Sequence, residues 1–213
     1  MATHLWLVLL ISAIGLFLLC RNAVLFSTNR KVKNNVSKVF IGYLIALSVI
    51  EIFCHIIGFT KPNANIFLSH LYFCFQFTFL SILYYSLITN KFFKKIIVLA
   101  AILQTIAISY TYINEPELFW DFNLYEITSS SLLLIIYALF FIFENLDKKH
   151  QYFNFSIGLI LYLACSLAIF SSGKLELVLY EKPYIDIWVF NSIFYIIFQY
   201  FVYREYVYVK KVK

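Results

Sequence analysis

The chain holds seven apolar runs of the length that a membrane-crossing helix needs, roughly 4–20, 39–59, 66–89, 95–113, 125–144, 153–172 and 184–204. Hydrocarbon offers no hydrogen bonds, so a backbone passing through it must satisfy its own polar groups. A helix does this within one segment. The runs therefore predict an all-α, polytopic bundle of seven transmembrane helices in a single domain spanning 1–213. Composition agrees. The 213 residues are 62% hydrophobic and 13% charged, and a water-soluble domain carries about 25% charged residues. A globule of this size in water could not hide so much apolar surface.

Lysine and arginine orient the bundle. The first connection holds Arg21, Arg30, Lys31, Lys33 and Lys38, and the third holds Lys91, Lys94 and Lys95. Lys148 and Lys149 lie in the fifth, and Arg204, Lys210, Lys211 and Lys213 in the tail. These fourteen face three on the other side: Lys61, Lys174 and Lys182. The positive-inside rule puts the richer side in the cytoplasm and the N-terminus outside. This explains the net charge of +6 without a nucleic-acid partner. A cleavable signal peptide needs a basic stretch before its apolar run. Residues Met1 to His4 have none, so the first run is expected to stay as a helix.

Prolines 62, 116 and 183 all fall in the outer connections, and no GxxxG pair occurs. Broken-helix transporters unwind at Gly or Pro near mid-membrane, so a regular bundle is expected. Cys20, Cys54, Cys74 and Cys165 have no metal-ligand spacing and read as buried thiols. The aromatic share of 21% accompanies abundant Ile, Asn and Lys, as in AT-rich bacterial genomes. No single aromatic stripe is given weight.

Ionisable residues inside lipid cost ~3 kcal/mol each and are candidates for function. Glu51 and His55 lie four apart in the second run, on one helical face with Ser48 and Gly58. His70 opens the third run, with Cys74 and Ser81 on its stripe. Glu126 opens the fifth, followed on one face by Ser129, Ser130 and Tyr137. Asn154, Gly158, Tyr162 and Cys165 align in the sixth, and Trp188, Asn191, Ser192, Tyr195 and Gln199 in the seventh. Helices two, three, five, six and seven are expected to enclose a polar interior, with one and four outside. Glu51, His55, His70, Glu126, Trp188 and Asn191 form the expected outward-facing ligand pocket.

Three readings fit these residues: a structural pairing of Glu51 with His55, a ligand- or proton-sensing pocket, and a metal site of His55, His70 and Glu51. Retinal chemistry needs a lysine in the last helix, and none lies between Tyr184 and Tyr203. A three-histidine hydrolase lacks a third intramembrane His, and no GxSG nucleophile motif occurs.

His70-Leu71-Tyr72 with Gln76, Tyr125-Glu126, Gly158 to Tyr162, and Trp188, Asn191 and Tyr195 resemble a group of small seven-helix membrane proteins of Bacteroidetes, often encoded near sensor histidine kinases. The resemblance implies a sensing or accessory role in the bacterial inner membrane and carries no established activity. The short cytoplasmic connections leave no room for an effector domain, so a signal would pass to a signalling or defence partner at the basic face. The lipid bilayer is the other expected partner, and an oligomer is compatible with the sequence. The alternatives are a pore or membrane-perturbing effector of a defence system, and an intramembrane metal-dependent hydrolase.

Overall fold

The computed structural model describes residues 2–29, 34–61, 65–121, 123–147, 150–172 and 187–212, with backbone alone for 2–8, 172, 187, 188 and 212. Among the described residues seven α-helices follow one another: α1 Ala2–Thr28, α2 Asn35–Thr60, α3 Phe67–Leu87, α4 Lys91–Asn114, α5 Leu124–Glu144, α6 Phe153–Ser172 and α7 Ile187–Val212. A 3-10 turn, Pro116–Phe119, links α4 to α5, and no strand occurs among the described residues. Helices α1 to α6 are long and apolar enough to cross a membrane. The described part of α7 is more polar, because it carries Asn191, Gln199, several tyrosines, Arg204 and Glu205.

Asparagine starts three of the helices. The Asn34 side chain accepts from the Ser37 N–H at 2.8 Å to open α2, and Asn90 accepts from Phe92 N–H at 2.8 Å to open α4. Asn123 accepts from Glu126 N–H at 3.2 Å to open α5. Each satisfies a donor that the first helical turn leaves without a partner. α1 runs eight residues beyond its predicted end and α7 eight beyond its own. Arg21 thus sits within α1, not in a connection, and its guanidinium lies over the Tyr203 ring of α7 at 4.6 Å. Such a contact keeps the charge on an aromatic face while the side chain stays packed.

Six helices close a ring. α1 packs on α2, α2 on α3, α3 on α5, α5 on α6, α6 on α7, and α7 back on α1. α4 lies outside, against α3 and α5. Its Ile97 and Gln104 are buried, while Leu99, Ile102, Leu103, Ile106, Tyr110 and Ile113 point away from the protein. The expectation that α4 is peripheral holds. The expectation for α1 does not: Leu19, Asn22, Ala23 and Phe26 are buried against α2 and α7. Asn22 donates to the Gln199 backbone oxygen at 2.9 Å and to its side-chain oxygen at 3.0 Å. A single buried asparagine in an apolar run was too weak a sign to place α1 in the ring.

The two ends of the ring differ. One carries Lys38, Lys91, Lys94, Lys95, Arg204, Lys210 and Lys211, and the other carries Glu115, Glu117 and Asp121. They are called here the basic and acidic ends. Near the basic end the interior is filled by rings. Phe40 packs edge-on against Phe26, Tyr152 and Phe155, with centroids 4.8–5.1 Å apart. Two carboxylates tie the same end together, one of them buried. Glu205 of α7 accepts from the N–H groups of Tyr152 at 2.6 Å and Phe155 at 3.4 Å, where α6 begins. Its oxygens there meet N–H groups that the first turn of a helix leaves without a partner. Glu144 at the end of α5 accepts from the N–H groups of Thr89 and Asn90, both at 2.8 Å, where α4 begins. Burial pushes the Tyr152 hydroxyl up to about 12, so it stays a neutral donor to Ser37 at 3.0 Å.

Gly158 sets the spacing of α6 and α7, since a Cβ there would overlap the Cβ of Phe201. Gly158→Ala is expected to lower stability by about 1–3 kcal/mol, the cost of overpacking. Glu205→Ala is expected to cost about 2 kcal/mol through the lost cap. Denaturant-dependent loss of helical circular dichroism in mixed micelles measures both.

Candidate functional site

Two polar clusters lie between the mid-plane of the bundle and the acidic end, and they differ in how well their charges are met. The first joins α3, α4 and α5. His70 sits in the first turn of α3 and Glu126 in the first turn of α5, both buried. His70 Nδ1 is 2.7 Å from Glu126 Oε2 and 2.8 Å from the Tyr112 hydroxyl. Tyr112 also donates to Glu126 Oε2. The Glu126 Oε1 atom accepts from Cys74 Sγ at 3.4 Å. A carbonyl can only accept, so the His70 Nε2 atom, 3.1 Å from the Asp121 oxygen, carries a proton. Phe119 stacks on the imidazole at 5.5 Å and roofs the cluster.

This cluster is closed and complete. Whether His70 and Glu126 are both charged or both neutral, the unit has no net charge. That condition lets an acid and a base share a buried site, provided their remaining atoms are hydrogen-bonded. Asn123-Leu124-Tyr125-Glu126 has the pattern of a helix start in which the third residue reaches back to the cap. Here the carboxylate turns to α3 and α4 instead. Tyr112 and the Asp121 carbonyl were not expected from the sequence. A tyrosine at the end of an apolar run reads as an interface residue, and backbone acceptors leave no trace in composition. The Ser129 and Ser130 face of α5 is used locally, accepting from Gln104 Nε2 at 2.6 and 3.1 Å.

The second cluster lies inside the ring, between α2, α3, α6 and α7. Glu51 and His55 are each about three-quarters buried. His55 Nδ1 is 2.8 Å from the Glu51 backbone oxygen, to which it must donate, and 3.7 Å from the carboxylate. The histidine thus spends this proton on its own helix, and the Glu51 carboxylate receives no hydrogen bond from a described residue. Glu51 lies within electrostatic reach of the hydroxyls of Tyr72, Tyr162 and Tyr195. Tyr162 and Tyr195 pack at 5.4 Å, and Tyr162 stacks on Phe198 at 5.3 Å. Ser166 donates to Asn191 Oδ1 at 2.7 Å on the α6–α7 side of this group. Tyr43 and Gln76 form its deeper part.

Several of these groups face one another. The buried Tyr43 hydroxyl meets the Gln76 amide, and the buried Tyr72 hydroxyl meets those of Tyr162 and Tyr195, in each case outside ideal hydrogen-bond geometry. Buried polar groups are well paired in the great majority of cases. The loosely met groups gather beside a carboxylate that receives no hydrogen bond from a described residue.

The predicted pocket therefore divides. Glu51, His55 and Asn191 belong with the ring interior, joined by Tyr162 and Tyr195 of the polar stripes. His70 and Glu126 belong to the closed cluster, and no hydrogen bond or ion pair among the described residues links the two. Each histidine pairs with the carboxylate nearest it. The side chain of Trp188 lies outside the described residues. No three His, Cys, Asp or Glu side chains among the described residues gather so as to hold a metal, and His55, His70 and Glu51 are divided between the two pairs. Tyr43, Tyr72 and Gln76 were not in the expected site. Gln76 and Tyr72 stand four apart on one face of α3, the signal that could have found them.

His70→Leu is expected to destabilise the bundle by about 3–5 kcal/mol, because Glu126 is left buried without its base. The double variant His70→Leu/Glu126→Leu should recover part of that loss, and thermal unfolding in detergent compares the two. No protein-family model, curated protein or solved structure matches this chain.

Proposed function

We propose that the chain is a membrane sensor or accessory subunit with a ligand pocket inside its helical ring, opening toward the acidic end. In this reading the protein lies in the bacterial inner membrane with its N-terminus and acidic end outside. All seven helices cross. The basic end faces the cytoplasm and meets the partner that receives the signal. The resemblance to small seven-helix proteins encoded beside sensor kinases points the same way.

The observation that carries the proposal is the Glu51 carboxylate, which receives no hydrogen bond from a described residue, beside loosely met buried groups on Tyr43, Tyr72, Tyr195 and Gln76. The His70–Glu126 cluster, by contrast, has its charged atoms met within the protein. The aromatic filling around Phe40 near the basic end favours sensing over conduction through a single bundle. A ligand bound at the acidic half would alter the packing of α6 and α7 on α2 and α3, and the basic end would carry that change to a partner.

The test is complementation of a deletion strain by Glu51→Gln and Tyr72→Phe variants whose membrane insertion and thermal stability match the wild type. Both variants are expected to insert and to lose most of the wild-type output. Full complementation by both would sink the proposal.

A further inference from the structure

Arg21 stands inside an apolar segment of spanning length, Leu9–Thr28. We infer that this arginine, at the seam of α1 and α7, holds the phosphate of an anionic phospholipid at the basic end of the bundle. The site is separate from the pocket proposed above and does not depend on it.

Depth comes first. α1 has 27 residues, which is about 40 Å of helix against a hydrocarbon core of about 30 Å. Arg21 lies seven residues before the last, Thr28, or about 10 Å of rise. With that end of α1 beyond the hydrocarbon, the guanidinium sits at headgroup level. Phe17 and Val24 share the face of Arg21, at spacings of four and three, and are 66% and 60% exposed. The stripe that carries the half-buried arginine is therefore apolar and lipid-facing on either side of it. A charge so placed is costly unless it meets an acceptor.

The protein supplies only part of that need. The Arg21 guanidinium lies over the Tyr203 ring at 4.6 Å, a contact that does not use its in-plane N–H donors. The Nε atom is buried and has no hydrogen-bond partner among the described residues. The ion pairs among those residues, Glu51–His55 and Glu126–His70, do not involve Arg21. α1 carries no acidic residue, and the described part of α7 carries only Glu205. Glu205 is buried and turned to the N–H groups of Tyr152 and Phe155. A second cation stands near. Arg204 is exposed and donates to the Tyr200 hydroxyl at 3.1 Å. Tyr200 and Tyr203 are three apart on α7, so the rings beneath the two guanidiniums share one helical face. Phosphate oxygens match the planar donor fork of arginine. An anionic headgroup fits better than a zwitterionic one, whose ammonium would meet two arginines and no unengaged carboxylate on α1 or the described part of α7.

The experiment uses the full chain in nanodiscs of phosphatidylcholine, with phosphatidylglycerol replacing an increasing share of the lipid. Thermal unfolding is read by intrinsic fluorescence. The expected result is a saturable rise in Tm at a low share of phosphatidylglycerol, its apparent affinity weakened about tenfold or more in Arg21→Gln. Arg21→Lys keeps the charge but loses the fork, and should recover only part of the response. The double variant Lys210→Gln/Lys211→Gln removes two charges from the exposed end of α7 and should keep the saturable response. If Arg21→Gln does not fold, the comparison of Arg21→Lys with the wild type decides. An unchanged response in Arg21→Gln overturns the inference, or in Arg21→Lys where that comparison decides. So does equal weakening in Arg21→Gln and the lysine double variant, which is the diffuse attraction of any basic surface for anionic lipid. Absence of a phosphatidylglycerol response in the wild type also overturns it. Inorganic phosphate added to pure phosphatidylcholine nanodiscs separates the two sources of the group. A saturable, Arg21-dependent response to phosphate, with none to phosphatidylglycerol, overturns the lipid and assigns the site to a free phosphate.

Discussion

Lipid does not hydrogen-bond, and that constraint organises the whole chain. Every buried polar group inside the bundle must find its partner within the protein or in something the protein binds. Most of them do. Asn22 reaches Gln199, Tyr84 reaches Ser156, and Gln104 reaches Ser129 and Ser130. Each of these bonds joins two different helices, so the same bonds that satisfy polar atoms also fix which helices are neighbours. Glu205 and Glu144 extend the rule to the basic end, where each carboxylate holds the start of a helix other than its own.

Against that background the two acid–base pairs take opposite meanings. His70 and Glu126 form an electrically neutral unit with both imidazole nitrogens engaged and a tyrosine hydroxyl added. Such a unit locks three helices and needs nothing further. Glu51 and His55 share one helix, so their pairing joins nothing, and the histidine is turned to the backbone. The surplus polarity of the ring gathers around them. The proposed function rests on the pair that is incomplete.

Much of the fold was legible. Apolar runs of spanning length located the seven described helices, six of which are long and apolar enough to cross a membrane. Their ends were less legible: α1 and α7 continue as helices past Arg21 and Arg204, since arginine favours helix and can lay its stem along apolar surface. The position of α1 in the ring was missed because one asparagine, Asn22, carries it. The site was half legible. Spacing of four put Glu51 with His55 and aligned Asn191 with Tyr195. Periodicity along one helix gives no distances between helices, so it could not separate His70 and Glu126 from Glu51. Nor could it reveal that Tyr112 and a backbone carbonyl complete the first pair.

The central claim is that the interior around Glu51 is unfinished without a ligand. An experimental structure of the protein in nanodiscs of its native lipid tests this most directly. The account predicts non-protein density within hydrogen-bonding distance of the Glu51 carboxylate and the Tyr72 and Tyr195 hydroxyls. Direct pairing of the Glu51 carboxylate with those hydroxyls, with no space between them, would contradict it.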